Sequence, residues 1–165
     1  MIKNIFPHFP DTSRIWIYGF KNHLSDKDLH IVNHSLDQFI KSWKSHGRDV
    51  DGDYQIVENR FIVFAVSEKD TVSGCSIDSS IRTLENLRNS FGLDALDQNI
   101  VFFRQDDRIG TAMRNQFIQM VTSGQIDEEI FVYDLSIQNL GSLRCGEFEK
   151  QYKNSWAAVA FPVST

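Results

Sequence analysis

A mixed α+β fold is predicted by three features: short β-branched and aromatic runs, two long helical stripes of apolar residues, and turn signals between them. The 165 residues are 41% hydrophobic and 24% charged, and 13 Phe, three Trp and four Tyr supply bulk for a core without disulfides or metals. This length suits a single domain over residues 1–165, with no repeat, low-complexity tract or linker.

Residues 14–20 (RIWIYGF) read as a buried strand. Ser25 opens a helix through a capping box with Asp28, an Asp variant of the usual Glu or Gln. Leu29, Val32, Leu36, Phe39, Ile40 and Trp43 line one face of it, and Gly47 after His46 reads as its left-handed stop. Asp51-Gly52 marks a turn, and residues 53–57 and 60–66 read as a hairpin closed at Glu58-Asn59. A polar loop, 67–73, precedes a second stripe through Ile77, Ile81, Leu84, Leu87 and Phe91, stopped by Gly92. Residues 99–103 read as a strand, 111–123 as a third helix stopped by Gly124, and 129–135 as a last strand. Past Ser136 the pattern weakens to short turns and a packed Trp156. The first six elements, strand-helix-strand-strand-helix-strand, match a ferredoxin-like (split βαβ) core with an added C-terminal helix and strand. Right-handed crossovers would pack the helices on a mixed sheet.

The net charge is -5, from 22 acidic against 17 basic residues, which argues against the basic footprint of a nucleic-acid surface. Two cysteines, Cys75 and Cys145, are too few for a secreted disulfide scaffold. The opening stretch, broken by Pro7 and Pro10, does not read as a signal peptide, and no apolar run reaches the roughly 20 residues of a membrane helix. The expected compartment is a reducing interior, the bacterial cytoplasm by default, with no membrane partner.

The most unusual stretch is Gly74-Cys75-Ser76-Ile77-Asp78-Ser79-Ser80. Ser76 is a candidate cap, and Asp78 in the first turn suits the positive end of the helix dipole. Gly74 permits a sharp turn or close approach. Cys75 would sit just before the helix, where unpaired N–H groups lower a thiol pKa; the same amides could hold a phosphate or carboxylate. The simpler reading is a buried, apolar cysteine. A thiol nucleophile needs a base, and His46 is the first imidazole to test, although a helix terminus or plain surface role also accounts for it. Six residues separate Cys75 from Arg82, one more than the C-x5-R phosphate loop of cysteine phosphatases, and no C-x-x-C is present. Arg82 lies four residues after Asp78, which suits an exposed ion pair.

His30 and His34 share a helix face but lack the glutamate of H-E-x-x-H, so a solvated flank is preferred and no metal is expected. The charged loop Arg104-Gln105-Asp106-Asp107-Arg108 follows a strand, where ligands often sit, or is a plain exposed turn. Gly74, Ser76, Arg82 and Arg104 are the candidate ligand-binding residues; no cofactor is expected.

Trp16-Ile17-Tyr18, the segment from Phe39 to Gly47 ending Trp43-Lys44-Ser45-His46-Gly47, Arg60-Phe61, and Ser73-Gly74-Cys75-Ser76-Ile77-Asp78-Ser79-Ser80 together resemble a small family of uncharacterised bacterial proteins. Some of its members are labelled ABC transporter ATPases, and no established activity comes with the resemblance. A P-loop needs G-x-x-x-x-G-K-[ST]; the two spacings here, Gly47/Gly52 and Gly141/Gly146, continue as Asp53-Tyr54 and Glu147-Phe148, without lysine or hydroxyl. Residues 15–20 (IWIYGF) are similar to the first-strand signature of an RNA-recognition motif, but Phe61 and Phe64 fall on opposite strand faces.

Three functions follow. The leading one is a non-catalytic module binding a small ligand or a protein, because no complete catalytic constellation assembles. The alternative is a cysteine-dependent enzyme, with Cys75 as nucleophile, His46 as base and Asp78 as orienting group. A nucleic-acid-binding domain ranks third. A homodimer stays open.

Overall fold

The computed structural model describes residues 2–67 and 74–162, apart from the side chains of 74–76. Its contacts sort into two compact units, Met1–Asp97 with Ser136–Cys145, and Gln98–Leu135 with Gly146–Thr165. Helices and antiparallel sheets occur in both, so the architecture is mixed α+β.

In the first unit, β1 (Arg14–Gly19) is followed by α1 (Asp26–Ser42), the two-residue strands β2 (Lys44–Ser45) and β3 (Arg48–Asp49), β4 (Gly52–Val57), β5 (Phe61–Val66) and α2 (Gly74–Phe91). The main sheet has the order β1-β5-β4, both pairings antiparallel, so β1 and β4 run parallel with β5 between them. β5 suits the centre because all six residues (FIVFAV) are apolar, and a strand buried on both faces needs no polar alternation. Each of the six is at 0% exposure. Ile62, Phe64 and Val66 join Val32, Leu36 and Phe39 of α1 and Leu84 and Leu87 of α2 in one apolar cluster. Phe61, Val63 and Ala65 point to the opposite face. Glu58 and Asn59 turn the β4–β5 hairpin at φ 52° and 50°, as expected of a tight connection.

α1 opens on the expected capping box: the Asp28 N–H donates to Ser25 Oγ at 3.1 Å and the Ser25 N–H to Asp28 Oδ2 at 3.0 Å. Its end differs from expectation. Trp43 leaves the helix in extended conformation and lays its ring against Phe39 and Phe64, with centroids at 4.9 and 6.1 Å. β2 and β3 then pair around His46-Gly47, whose φ angles of 51° and 77° fit a type I′ turn. The His-Gly signal turns a hairpin here instead of stopping a helix; both jobs require left-handed backbone. The described part of α2 runs from Gly74, so Ser76 lies inside the helix and is not its cap. Gly92 closes α2 at φ 70°, its N–H bonded to the Arg88 carbonyl and that of Leu93 to Leu87. Phe91, read as part of the stripe, is 54% exposed.

In the second unit, β6 (Ile100–Gln105) and β7 (Arg108–Met113) form a hairpin, followed by α3 (Arg114–Thr122) and β8 (Phe131–Tyr133). After α4 (Leu140–Arg144), which belongs to the first unit, come β9 (Glu149–Gln151) and α5 (Trp156–Ala160). The sheet order is β7-β6-β8-β9, all antiparallel. Residues 111–113 were expected to start a helix; they extend instead, because hydrogen bonding to β6 outweighs local propensity. Gly110, opposite Phe103, makes this close pairing feasible: a Cβ there would lie 2.6 Å from the Phe103 ring. Val101, Phe103 and Val132 pack with Phe117 and Val121 of α3 and Ala157 of α5. Among the described residues, the expected weak tail thus contains two short α-helices, a 3-10 turn (Tyr152–Asn154) and a strand, each too short to show a period. Trp156 does pack, donating from Nε1 to the Tyr133 carbonyl at 2.9 Å.

α4 holds residues 2–13. The Leu140 and Gly141 N–H groups bond the carbonyls of Ser13 and Asp11, and Arg144 reaches carbonyls of Ile5, Phe6 and Phe9. The Ile15 N–H bonds the Gln138 carbonyl, so this returning segment also lines the start of the β1 edge.

Candidate functional site

The start of α2 is the site the sequence singles out. The helix has 18 residues, so its first-turn amides carry the positive end of a full macrodipole. Gly74, Cys75 and Ser76 are the first described residues of that helix. The loop before them, 68–73, lies outside the described residues, as do the side chains of Cys75 and Ser76. Asp78 and Arg82 stand exposed on α2.

One turn into the helix, Ser80 is 4% exposed and donates to the Ile77 carbonyl at 2.6 Å. It also shares a hydrogen bond with the phenol of Tyr18, on β1. Burial pushes the Tyr18 pKa up from its ordinary value, and the Ser80 bond offsets part of that. Both groups are therefore neutral near pH 7: they offer hydrogen bonds, not a base or a thiolate. Sequence reasoning missed this pair. Its signal is a serine interrupting the apolar stripe between Ile77 and Ile81, which must be answered by a polar group if it is buried.

His46 lies at the tip of the β2–β3 hairpin, exposed to solvent. Its position is set by the left-handed turn, so its backbone serves the hairpin. Cys145, the C-cap of α4, is exposed and free.

His30 and His34 are exposed on α1, and His34 Nε2 sits 3.3 Å from Gln38 Nε2. Among the described residues, no group of three or more His, Cys, Asp or Glu side chains gathers as a metal site. Nor, among them, is any helix long and apolar enough to cross a membrane.

Arg104 is engaged. Its Nε donates to Glu149 Oε1 at 2.5 Å, its Nη2 to Glu149 Oε2 at 3.3 Å and to the Tyr133 hydroxyl, and its guanidinium lies 5.6 Å from the Tyr133 ring centroid. Three strands, β6, β8 and β9, are thereby tied across the sheet. Asp106 and Asp107 turn the β6–β7 hairpin, Asp106 at φ 54°, so the charged loop joins two strands and does not lead into a helix.

A second polar cluster joins α1 to β4. The Tyr54 hydroxyl donates to Asp37 Oδ1 at 2.7 Å and lies 3.0 Å from Asn33 Oδ1. Burial first, and then the Asp37 bond, push this phenol well above its ordinary pKa.

The fold is that of a mixed α+β protein. The chain matches no family model, no curated protein and no solved structure.

Proposed function

We infer that the chain is a non-catalytic module that binds a small ligand or a protein partner on its α+β scaffold. The observation that carries this reading is the position of His46. The imidazole that a Cys75 nucleophile would draw on is displayed to solvent from a two-residue turn. Two further placements support it. Arg104 is tied to Glu149 and Tyr133, and the Tyr18–Ser80 pair beside α2 is neutral and serves as a hydrogen-bonding group. Gly74, Ser76 and the first-turn amides of α2 are the ligand contacts this reading favours.

The scaffold reading that accompanies it is a ferredoxin-like first unit. Parallel β1 and β4 flank antiparallel β5, the arrangement of a split βαβ motif. The strand expected to complete that sheet, β6, pairs with β7 and β8, while Gln138 occupies part of the β1 edge. The bacterial family resemblance and a cytoplasmic setting belong to the same proposal.

The test is the rate of alkylation against pH, with Cys75 compared to Cys145. A Cys75 thiol titrating near about 8.5, or one that never reacts, fits a binding module. A thiol titrating well below that value, with alkylation abolishing turnover of an acyl or thiol substrate, would establish the cysteine-dependent enzyme instead.

A further inference from the structure

We propose that residues 2–12 form a strap that docks and releases as one unit, with Arg144 of α4 as its latch. The proposal is independent of the binding role above.

The latch is built from groups far apart in sequence. Arg144 Nη2 donates to the carbonyls of Ile5 at 3.0 Å, Phe6 at 2.7 Å and Phe9 at 2.9 Å, and Nη1 to Asp11 Oδ1 at 2.6 Å. A guanidinium keeps its charge at every physiological pH and has no acceptor, so carbonyls gathered on it are held by charge-assisted bonds. Its side chain is 19% exposed, so much of that attraction is shielded from water. The strap is also coherent within itself. The Ile5, Phe9 and Ser13 N–H groups bond the carbonyls of Ile2, Phe6 and Pro10, and the Phe6 and Phe9 rings stack at 6.0 Å. Such a segment moves together.

Two features weigh against the docked state. Phe6 is 4% exposed and adopts φ 51°, a left-handed conformation that costs a bulky L residue. Ser13, at the hinge, is at 0% exposure, and no group among the described residues bonds its hydroxyl. Lifting the strap relieves both: Phe6 regains ordinary backbone angles and Ser13 meets water. Against this stand the burial of Ile5 and Phe6 and the bonds to Arg144 and α4. A docked state that stores strain and is held by one short helix opens below the cost of global unfolding.

Amide hydrogen exchange on the full chain tests this at Leu140 and Gly141, whose N–H groups bond the Ser13 and Asp11 carbonyls from α4, with β5 amides as the reference. In the unaltered chain these two docking amides should exchange faster than β5. Arg144→Lys should accelerate them by about tenfold or more while β5 holds its rates. Gly141→Ala offers an independent wedge, because its Cβ would come 3.0 Å from Asp11 Cβ and 3.3 Å from the Asp11 carbonyl. It should act in the same direction with the latch intact. Ser13→Ala should slow the opening. The proposal is overturned if Leu140 and Gly141 move in step with β5 in every variant, or if Arg144→Lys leaves them at their original rates.

Discussion

The two larger sheets share one packing device and differ in how their inner strands are held. β5 in the first unit is apolar along its whole length and buried on both faces. β6 in the second is apolar for four residues and then presents Arg104, whose guanidinium reaches past β8 to Glu149 on β9. In each sheet an edge strand carries a glycine under an aromatic ring, Gly52 beneath Trp43 and Gly110 beneath Phe103. The Trp43 ring comes from the end of a helix; the Phe103 ring comes from the residue directly opposite in register. A buried apolar strand can therefore be placed by area, whereas a strand with a charged end needs particular partners on its neighbours.

The sharpest way to break the comparison is Phe64→Ala. The ring touches Tyr18, Phe39 and Trp43, and removing it should cost about 3–5 kcal/mol. Urea unfolding followed through Trp16 and Trp43 would measure this, and a loss below about 1 kcal/mol would mean that area on β5 is not what holds the first sheet. Next come Gly52→Ala and Gly110→Ala. Each new Cβ would sit 2.7 or 2.6 Å from ring carbons of a buried aromatic, so each should cost about 1–3 kcal/mol through overpacking. Equal costs would show that a ring from a helix and a ring from a neighbouring strand resist displacement alike; a smaller cost at Gly110 would mean that Phe103 yields more easily than Trp43.

The smallest effect concerns the entry to α1. Ser25→Ala should remove about 1 kcal/mol of stability near neutral pH. The backbone hydrogen bond from Ser25, and then the Ser25 side chain, hold the Asp28 carboxyl below its ordinary pKa. A depressed folded pKa stabilises above the unfolded value, and that contribution is lost as pH falls through the folded value. Stabilities of an Asp28→Ala variant and the unaltered chain should accordingly draw together in acid; a constant gap would assign the cap to the serine hydroxyl and not to the reciprocal box.

The first unit was the more legible in sequence. α1 begins where the Ser25/Asp28 pair places it, and β4 and β5 turn at Glu58-Asn59, because these signals act within a few residues. His46-Gly47 was misread since one backbone requirement, positive φ, serves both a helix stop and a hairpin turn. Residues 111–113 were misread because their strand character comes from β6 alongside. At the candidate site, the Gly-Cys-Ser turn marked the start of a long helix, but Tyr18 and Ser80 are 62 positions apart by number and meet only through folding.

The sequence by itself determined the α+β class, the two amphipathic helices and the apolar identity of β5, because periodicity and burial preference are properties of local pattern. Tertiary structure decided which strands share a sheet, that β7 extends and does not coil, and that Arg104 and Arg144 spend their charge on distant partners. The Arg104–Glu149 and Arg144–Phe6 bonds join groups 45 and 138 positions apart, and no local pattern encodes such a meeting.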